Sequence, residues 1–122
     1  DRIVFAGHRE DATSLMMAFN AFVLGSEFEG MSNSLMEAMS IGLPCIASDI
    51  APNRELITDD VTGLLFPTGK SPDLAKLCSK VLSDADLASR LGQAARHHIA
   101  TRHTVEQAVA AHEALYGQLL DL

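Results

Sequence analysis

Short apolar runs alternate with segments of helical period along this chain, and that rhythm constrains the fold more than any other feature of the sequence. The runs are Arg2–Ala6, Ala21–Leu24, Pro44–Ala47 and Leu64–Phe66. They are rich in β-branched and aromatic residues, as buried strands are. Between them, Asp11–Ala18 predicts a helix with Asp11 as its N-cap. Ser32–Ile41 predicts a helix apolar nearly all round (Leu35, Met36, Ala38, Met39, Ile41), packed on both sides and ended by Gly42. Pro52–Ile57 predicts a further turn or two. Strand and helix in alternation form a parallel sheet covered on both faces. The expected class is α/β, a partial doubly wound, Rossmann-like parallel sheet.

After Pro67 the period becomes purely helical. Ser71-Pro72-Asp73 predicts a helix start, with Ser71 capping and Pro72 at the first helical position. Leu74, Leu77, Cys78, Val81 and Leu82 follow at helical spacing, then Leu87, Leu91, Ala94, Ala95 and Ile99. Thr104 and Gln107 have the spacing of a capping box. Val105, Ala108, Val109, His112, Tyr116 and Leu119 form the stripe of a last helix, with His112 expected to pack within it. C-terminal helices are thus expected across residues 71–120.

The chain has 122 residues, 48% of them apolar, enough for one core. So few strands read as half of a doubly wound domain. The first run also starts without an initiator Met, so residues 1–122 are expected to be a single partial domain of something longer. Nine Lys and Arg against sixteen Asp and Glu leave a net charge of −7. That balance lacks the basic footprint of nucleic-acid binding. It leaves room for an anionic ligand, because backbone amides hold phosphate without any cation. Cys45 and Cys78 read as small buried hydrophobes, and no run nears the roughly 18 apolar residues of a membrane span. A reducing, cytoplasmic location is expected.

Parallel sheets bind ligands at the carboxyl ends of their strands. The informative segment there is Gly25-Ser26-Glu27-Phe28-Glu29-Gly30-Met31-Ser32-Asn33-Ser34-Leu35-Met36-Glu37. A strand ends, the chain turns through Gly30, and a helix begins near Ser32. The first amides of that helix lack internal partners and carry the positive end of its dipole, which suits a phosphate or diphosphate. Glu29 and Glu37 flank these amides. A carboxylate beside a diphosphate makes chemical sense when it accepts hydrogen bonds from hydroxyls attached to that diphosphate. Other candidates read as structural. His97, His98 and His103 lack metal-site spacing. Glu55 is expected to bond backbone at the start of its helix, Asp59-Asp60 to form a turn, and Met16, Met17, Met31, Met36 and Met39 to fill the core.

On Ser26, Glu29-Gly30, Ser32-Asn33, Glu37-Ala38-Met39, Gly42, Pro44, Asp49, Glu55 and Gly63, the chain resembles retaining GT-B glycosyltransferases, in the branch often called family 4 or glycosyl transferases group 1. Glu29 and Glu37, with seven residues between them, match its paired-glutamate motif. The resemblance spans essentially the whole chain and corresponds to the later part of the family's C-terminal, donor-binding domain. It implies transfer of a hexose from a UDP- or GDP-sugar to a sugar or lipid acceptor, without a metal or other cofactor. Glu29 would be the catalytic carboxylate, touching donor-sugar hydroxyls. Gly30, Met31, Ser32, Asn33 and Ser34 would surround sugar and diphosphate, and Glu37 would accept from the ribose. Gly7, His8 and Arg9 would lie near the base.

The resemblance implies further partners. The acceptor would be held by an N-terminal domain absent here, and the parent protein would make peripheral membrane contact. The family's diphosphate-clamping Arg and Lys have no match in these residues, so the chain alone is expected to be inactive. An exposed sheet edge at residues 2–6 would favour a homodimer. The rival reading is a non-catalytic, flavodoxin-like signalling or interaction module. It fits less well, because Asp49 lacks the acidic pair a receiver would place beside it.

Overall fold

A computed structural model describes residues 2–120. Its elements in chain order are α1 (Ala12–Met16), β1 (Phe22–Leu24), α2 (Asn33–Ser40), β2 (Cys45–Ser48), α3 (Ala51–Leu56), β3 (Leu64–Phe66), α4 (Ser71–Ser83), α5 (Ala85–Arg102) and α6 (Val105–Leu119). The strands lie in the order β1-β2-β3, all parallel, with Phe22 opposite Cys45 and Ile46 opposite Leu64. A central parallel strand must be covered on both faces, and every residue of β2 is buried.

Alternation along the strands builds two apolar clusters. Cys45 and Ala47 join Leu35, Ala38 and Met39 of α2, Leu56 of α3, and Ala95 and Ile99 of α5. Ile46, Leu64 and Phe66 join Val81 of α4 and Leu87 and Leu91 of α5. One stripe of α5 thus serves both clusters. Burial lifts the Cys45 thiol to about 12, so it stays an inert apolar filler.

Both ends of α2 are set by local sequence. Ser32 stands in extended geometry at its N-cap, and its Oγ accepts from the Leu35 amide at 3.3 Å. At the other end Gly42 takes φ +82°, which a side chain would resist. Its amide donates to Met39 at 3.0 Å and the Leu43 amide to Ala38 at 3.1 Å, a Schellman closure. α5 crosses this corner through Gly92. A Cβ on Gly92 would lie 2.1 Å from the Gly42 carbonyl oxygen, so the two backbones touch only because residue 92 is glycine.

Several expectations are corrected. Residues 2–6 form no strand; Ile3, Val4 and Phe5 are 73%, 84% and 96% exposed. A strand exists only through a ladder partner, and this run has none among the described residues. The free edge expected there therefore belongs to β1. Ser71 is the first helical residue of α4, not its cap, because the Lys70 carbonyl already receives the Asp73 and Leu74 amides. The capping box of Thr104 and Gln107 forms, yet α6 buries none of its stripe. His112 is exposed, its ring bonded to the Ala108 carbonyl in its own helix. Met17 and Met31 are exposed, whereas Met16 and Met39 fill the core as expected. Among the described residues no helix is long and apolar enough to cross a membrane.

His97, His98 and His103 gather where α5 gives way to α6. His98 Nε2 is buried without a hydrogen-bond partner among the described residues, and its ring stands 5.3 Å from that of His103. Burial first, then the nearby charges of His103, Arg102 and His97, hold the His98 imidazole below its ordinary value of 6.5.

Two outcomes follow. Gly92→Ala gains about 1 kcal/mol in helix propensity, but overpacking against rigid backbone costs about 1–3 kcal/mol. Its urea midpoint should fall below wild type; an unchanged or higher midpoint would contradict the close crossing. For His98, the unfolded chain binds the proton first as pH drops. Stability from this group is therefore complete above about 6.5 and declines as pH falls through the depressed folded value. An NMR titration midpoint for His98 at or above 6.5 would refute the burial account.

Candidate functional site

The approach to α2 runs through residues 25–31, a loop with glycines at both 25 and 30. Where that loop meets Ser32, the first turn of an eight-residue helix opens outward. Ser32 Oγ takes the Leu35 amide and the Ser32 carbonyl takes that of Met36. The amides of Asn33 and Ser34 find no protein acceptor among the described residues. They sit at the positive end of the helix dipole, where anions bind. Ser32 is only 5% exposed, so its hydroxyl serves as the cap, 3.2 Å from Ser34 Oγ. Gly30, Met31 and Asn33 are exposed, and Ser34 is half-buried. A Cβ on Gly30 would meet nothing within 4 Å, leaving open space in front of the backbone there.

Each of the paired carboxylates already holds a hydroxyl. Glu29, half-buried, accepts from Ser26 Oγ through Oε1 at 2.6 Å. Glu37, exposed on α2, accepts from Thr13 Oγ1 through Oε2 at 3.0 Å, which ties α1 to α2. In both, the other carboxylate oxygen is unengaged among the described residues. Carboxylates so placed accept hydroxyl donors, and a sugar or ribose is made of them. Asn33 and Glu37 share a recess of about 270 Å³ with Met36, Ser40, Ile99 and His103. Met31 and Met36 border a larger, apolar groove of about 610 Å³ against α6. Glu29 lines neither.

Gly7, His8 and Arg9 stand apart from both recesses, in exposed coil. Gly7 has φ +65°, a turn that favours glycine. Arg9 grips Asp11 with two hydrogen bonds of 2.7 Å. Its guanidinium holds the Asp11 carboxyl below the usual carboxylate range. Asp11 occupies the N-cap position of α1, but its side chain makes no capping bond because Arg9 has claimed it. Asp49 is likewise paired with Arg54, which lowers the Asp49 carboxyl. Glu55 lies exposed in the last turn of α3, not at its start, so the backbone role expected there is not what the fold gives it. Among the described residues no three His, Cys, Asp or Glu side chains converge as a metal site would require.

Thr13 had no role in the sequence reading, and Ser26 entered it only as part of the family resemblance, not as a partner of Glu29. Ser26 sits three residues before Glu29, close enough that a hydroxyl-to-carboxylate bond could have been foreseen. Thr13 is 24 residues from Glu37, and only the packing of α1 on α2 joins them.

Comparison with known proteins gives the family and the fold. The model of the family described as glycosyl transferases group 1 matches residues 1–98. N-acetyl-alpha-D-glucosaminyl L-malate synthase of Bacillus anthracis is 29% identical over 120 residues, which cover 98% of this chain and 32% of that protein. The crystal structure of Anabaena HepE in complex with UDP-glucose superposes with a TM-score of 0.87 at 26% identity, over all of this chain and 33% of that one. The C-terminal domain of a Francisella tularensis glycosyl transferase group 1 family protein, LpcC, gives a TM-score of 0.74 at 25% identity, over 84% of this chain and 53% of that one. The chain spans about a third of the length of the Bacillus and Anabaena proteins. These likenesses give the GT-B fold and leave no support for a flavodoxin-like signalling module.

Proposed function

Since this chain belongs to the glycosyl transferases group 1 family, we propose that it is the donor-binding part of a retaining glycosyltransferase, which holds a nucleotide-diphosphate hexose for transfer to a sugar or lipid acceptor. The observation that carries this reading is the pairing of unpartnered amides at Asn33 and Ser34 with two hydroxyl-accepting carboxylates, Glu29 and Glu37. The amides take the diphosphate, and their charge stabilisation grows as the leaving diphosphate separates from the anomeric carbon. Glu29 accepts from hydroxyls of the sugar, and Glu37 accepts from the ribose.

Gly30 admits the ligand close to the backbone, with Met31 and Ser34 beside it. Ser32 contributes rigidity as the cap. Gly7, His8 and Arg9 approach the base through main chain, since the Arg9 side chain is spent on Asp11. The HepE complexes with UDP and UDP-glucose favour a uridine donor over a guanosine one. Transfer with retention proceeds by front-side attack, a donor phosphate oxygen taking the acceptor's proton, and needs no metal. The acceptor is bound by a further, N-terminal domain of the parent enzyme, which makes peripheral membrane contact. Residues 1–122 form one partial domain of that enzyme and do not turn over alone.

Titration of the chain with UDP and GDP, followed by NMR, tests donor binding. Amide shifts should concentrate at residues 29–37 and 7–9; no shift at millimolar nucleotide would defeat the reading. In a full-length parent, Glu37→Ala should weaken nucleotide binding about tenfold, as loss of a charge-assisted hydrogen bond does. Glu29→Ala should depress turnover more than binding. Equal losses in both parameters for both variants would reject this division of roles.

A further inference from the structure

Buried polar groups destabilise a fold unless each finds a partner, so a buried polar cluster at a strand end has to be accounted for. One lies beneath the loop that carries Glu29. Asn53 of α3 and Ser48 of β2 are both fully buried. Asn53 Nδ2 donates to the Ser48 carbonyl at 2.9 Å and to Ser48 Oγ at 3.2 Å. Ser48 Oγ in turn donates to the backbone carbonyl of Ser26. Ser26 Oγ then donates to Glu29 Oε1 at 2.6 Å.

The direction of this chain is fixed by its members. The Asn53 amide faces a backbone carbonyl, which only accepts, so its nitrogen and not its oxygen must point there. That nitrogen has only protons to offer, so Ser48 Oγ accepts from it. The single proton of Ser48 is then left for the Ser26 carbonyl. Asn53 Oδ1, on the far side, is buried without a partner among the described residues. The fold tolerates that unsatisfied oxygen while keeping the Nδ2 contacts.

We propose that Asn53, Ser48 and Ser26 are positioning residues that hold Glu29 in place for the donor sugar. The proposal rests on the reading above, in which Glu29 meets sugar hydroxyls. The loop of residues 25–31 contains two glycines and no regular structure, so by itself it would leave Glu29 free among several rotamers. Pinning the Ser26 carbonyl to the buried end of β2 fixes the residue whose hydroxyl then fixes Glu29. Ser26 occupies one carboxylate oxygen, which aims the other at a ligand hydroxyl. Recognition by hydrogen bonds needs that placement within a fraction of an ångström. The sheet and α3 thus serve as the ruler from which the sugar subsite is measured, while the nucleotide is held by α2 independently of it.

The test compares two probes on the 122-residue chain, UDP-glucose and UDP, by their dissociation constants. Ser26→Ala should weaken UDP-glucose about fivefold and change UDP less than about twofold, as loss of one hydrogen bond acting only on the sugar would. Ser26→Thr keeps the hydroxyl and should restore UDP-glucose to near wild type. Ser48→Ala, where it folds, should reproduce Ser26→Ala; Ser26 is half-buried, so its variants keep the test usable if Ser48→Ala does not fold. A merely structural role would weaken both probes alike. If Ser26→Ala affects both equally or neither, while Glu29→Gln selectively weakens UDP-glucose, the relay is overturned and the donor reading stands. If Glu29→Gln itself fails to separate the two probes, the sugar role of Glu29 is wrong and the relay falls with it.

Discussion

Backbone meets backbone where Gly92 of α5 crosses Gly42 at the end of α2, and the rest of the structure depends on that approach. It lets the long helix lie close enough to bury Ala95 and Ile99 against α2 while Leu87 and Leu91 pack on the other cluster. α2 is thereby held between the sheet and α5, with Leu35, Ala38 and Met39 wholly inaccessible. A helix fixed this firmly at its C-terminal corner presents its N-terminal amides in one orientation. Anion binding by those amides requires such preorganisation, because amides that must first be ordered would lose part of their binding energy to conformational entropy.

The electrostatics of the site follow from what surrounds those amides. The protein carries a net charge of −7, and two of its cations are already committed, Arg9 to Asp11 and Arg54 to Asp49. The unpartnered amides at Asn33 and Ser34 can attract an anion without any cation. Glu29 and Glu37 would repel an anion at close range were their oxygens not turned to hydroxyls. Ser26 and Thr13 supply such hydroxyls in the absence of ligand. The same geometry that satisfies the carboxylates internally makes them competent to read a polyhydroxylated ligand.

The parts of this arrangement legible in the sequence were those governed by near neighbours. Gly42 as a terminator and Thr104 with Gln107 as a capping box are contacts within a few residues, and both form. β1, β2 and β3 were foreseen within a residue or two because a buried parallel strand must be a short apolar run. Two of the failures share one cause. Residues 2–6 have the composition of a strand but no ladder partner, and α6 has an amphipathic stripe but no surface to cover among the described residues. An apolar pattern records a capacity for burial, and only a neighbour converts it. Asp11 failed as a cap for a related reason, since the guanidinium of Arg9 competed successfully for the same carboxylate.

By itself, then, the sequence determined the alternation that makes a parallel sheet, the ends of its central helix, and the presence of two glutamates flanking a turn of unpaired amides. Periodicity and capping act over one or two helical turns, so residue order suffices to specify them. Tertiary structure alone decided what those glutamates touch: Thr13 reaching Glu37 from α1, and Asn53 and Ser48 supporting Ser26 beneath Glu29. Hydrogen bonds of that kind join residues brought together only when helices pack on the sheet, and their geometry is set by the packing of apolar side chains that carry no hydrogen bonds themselves.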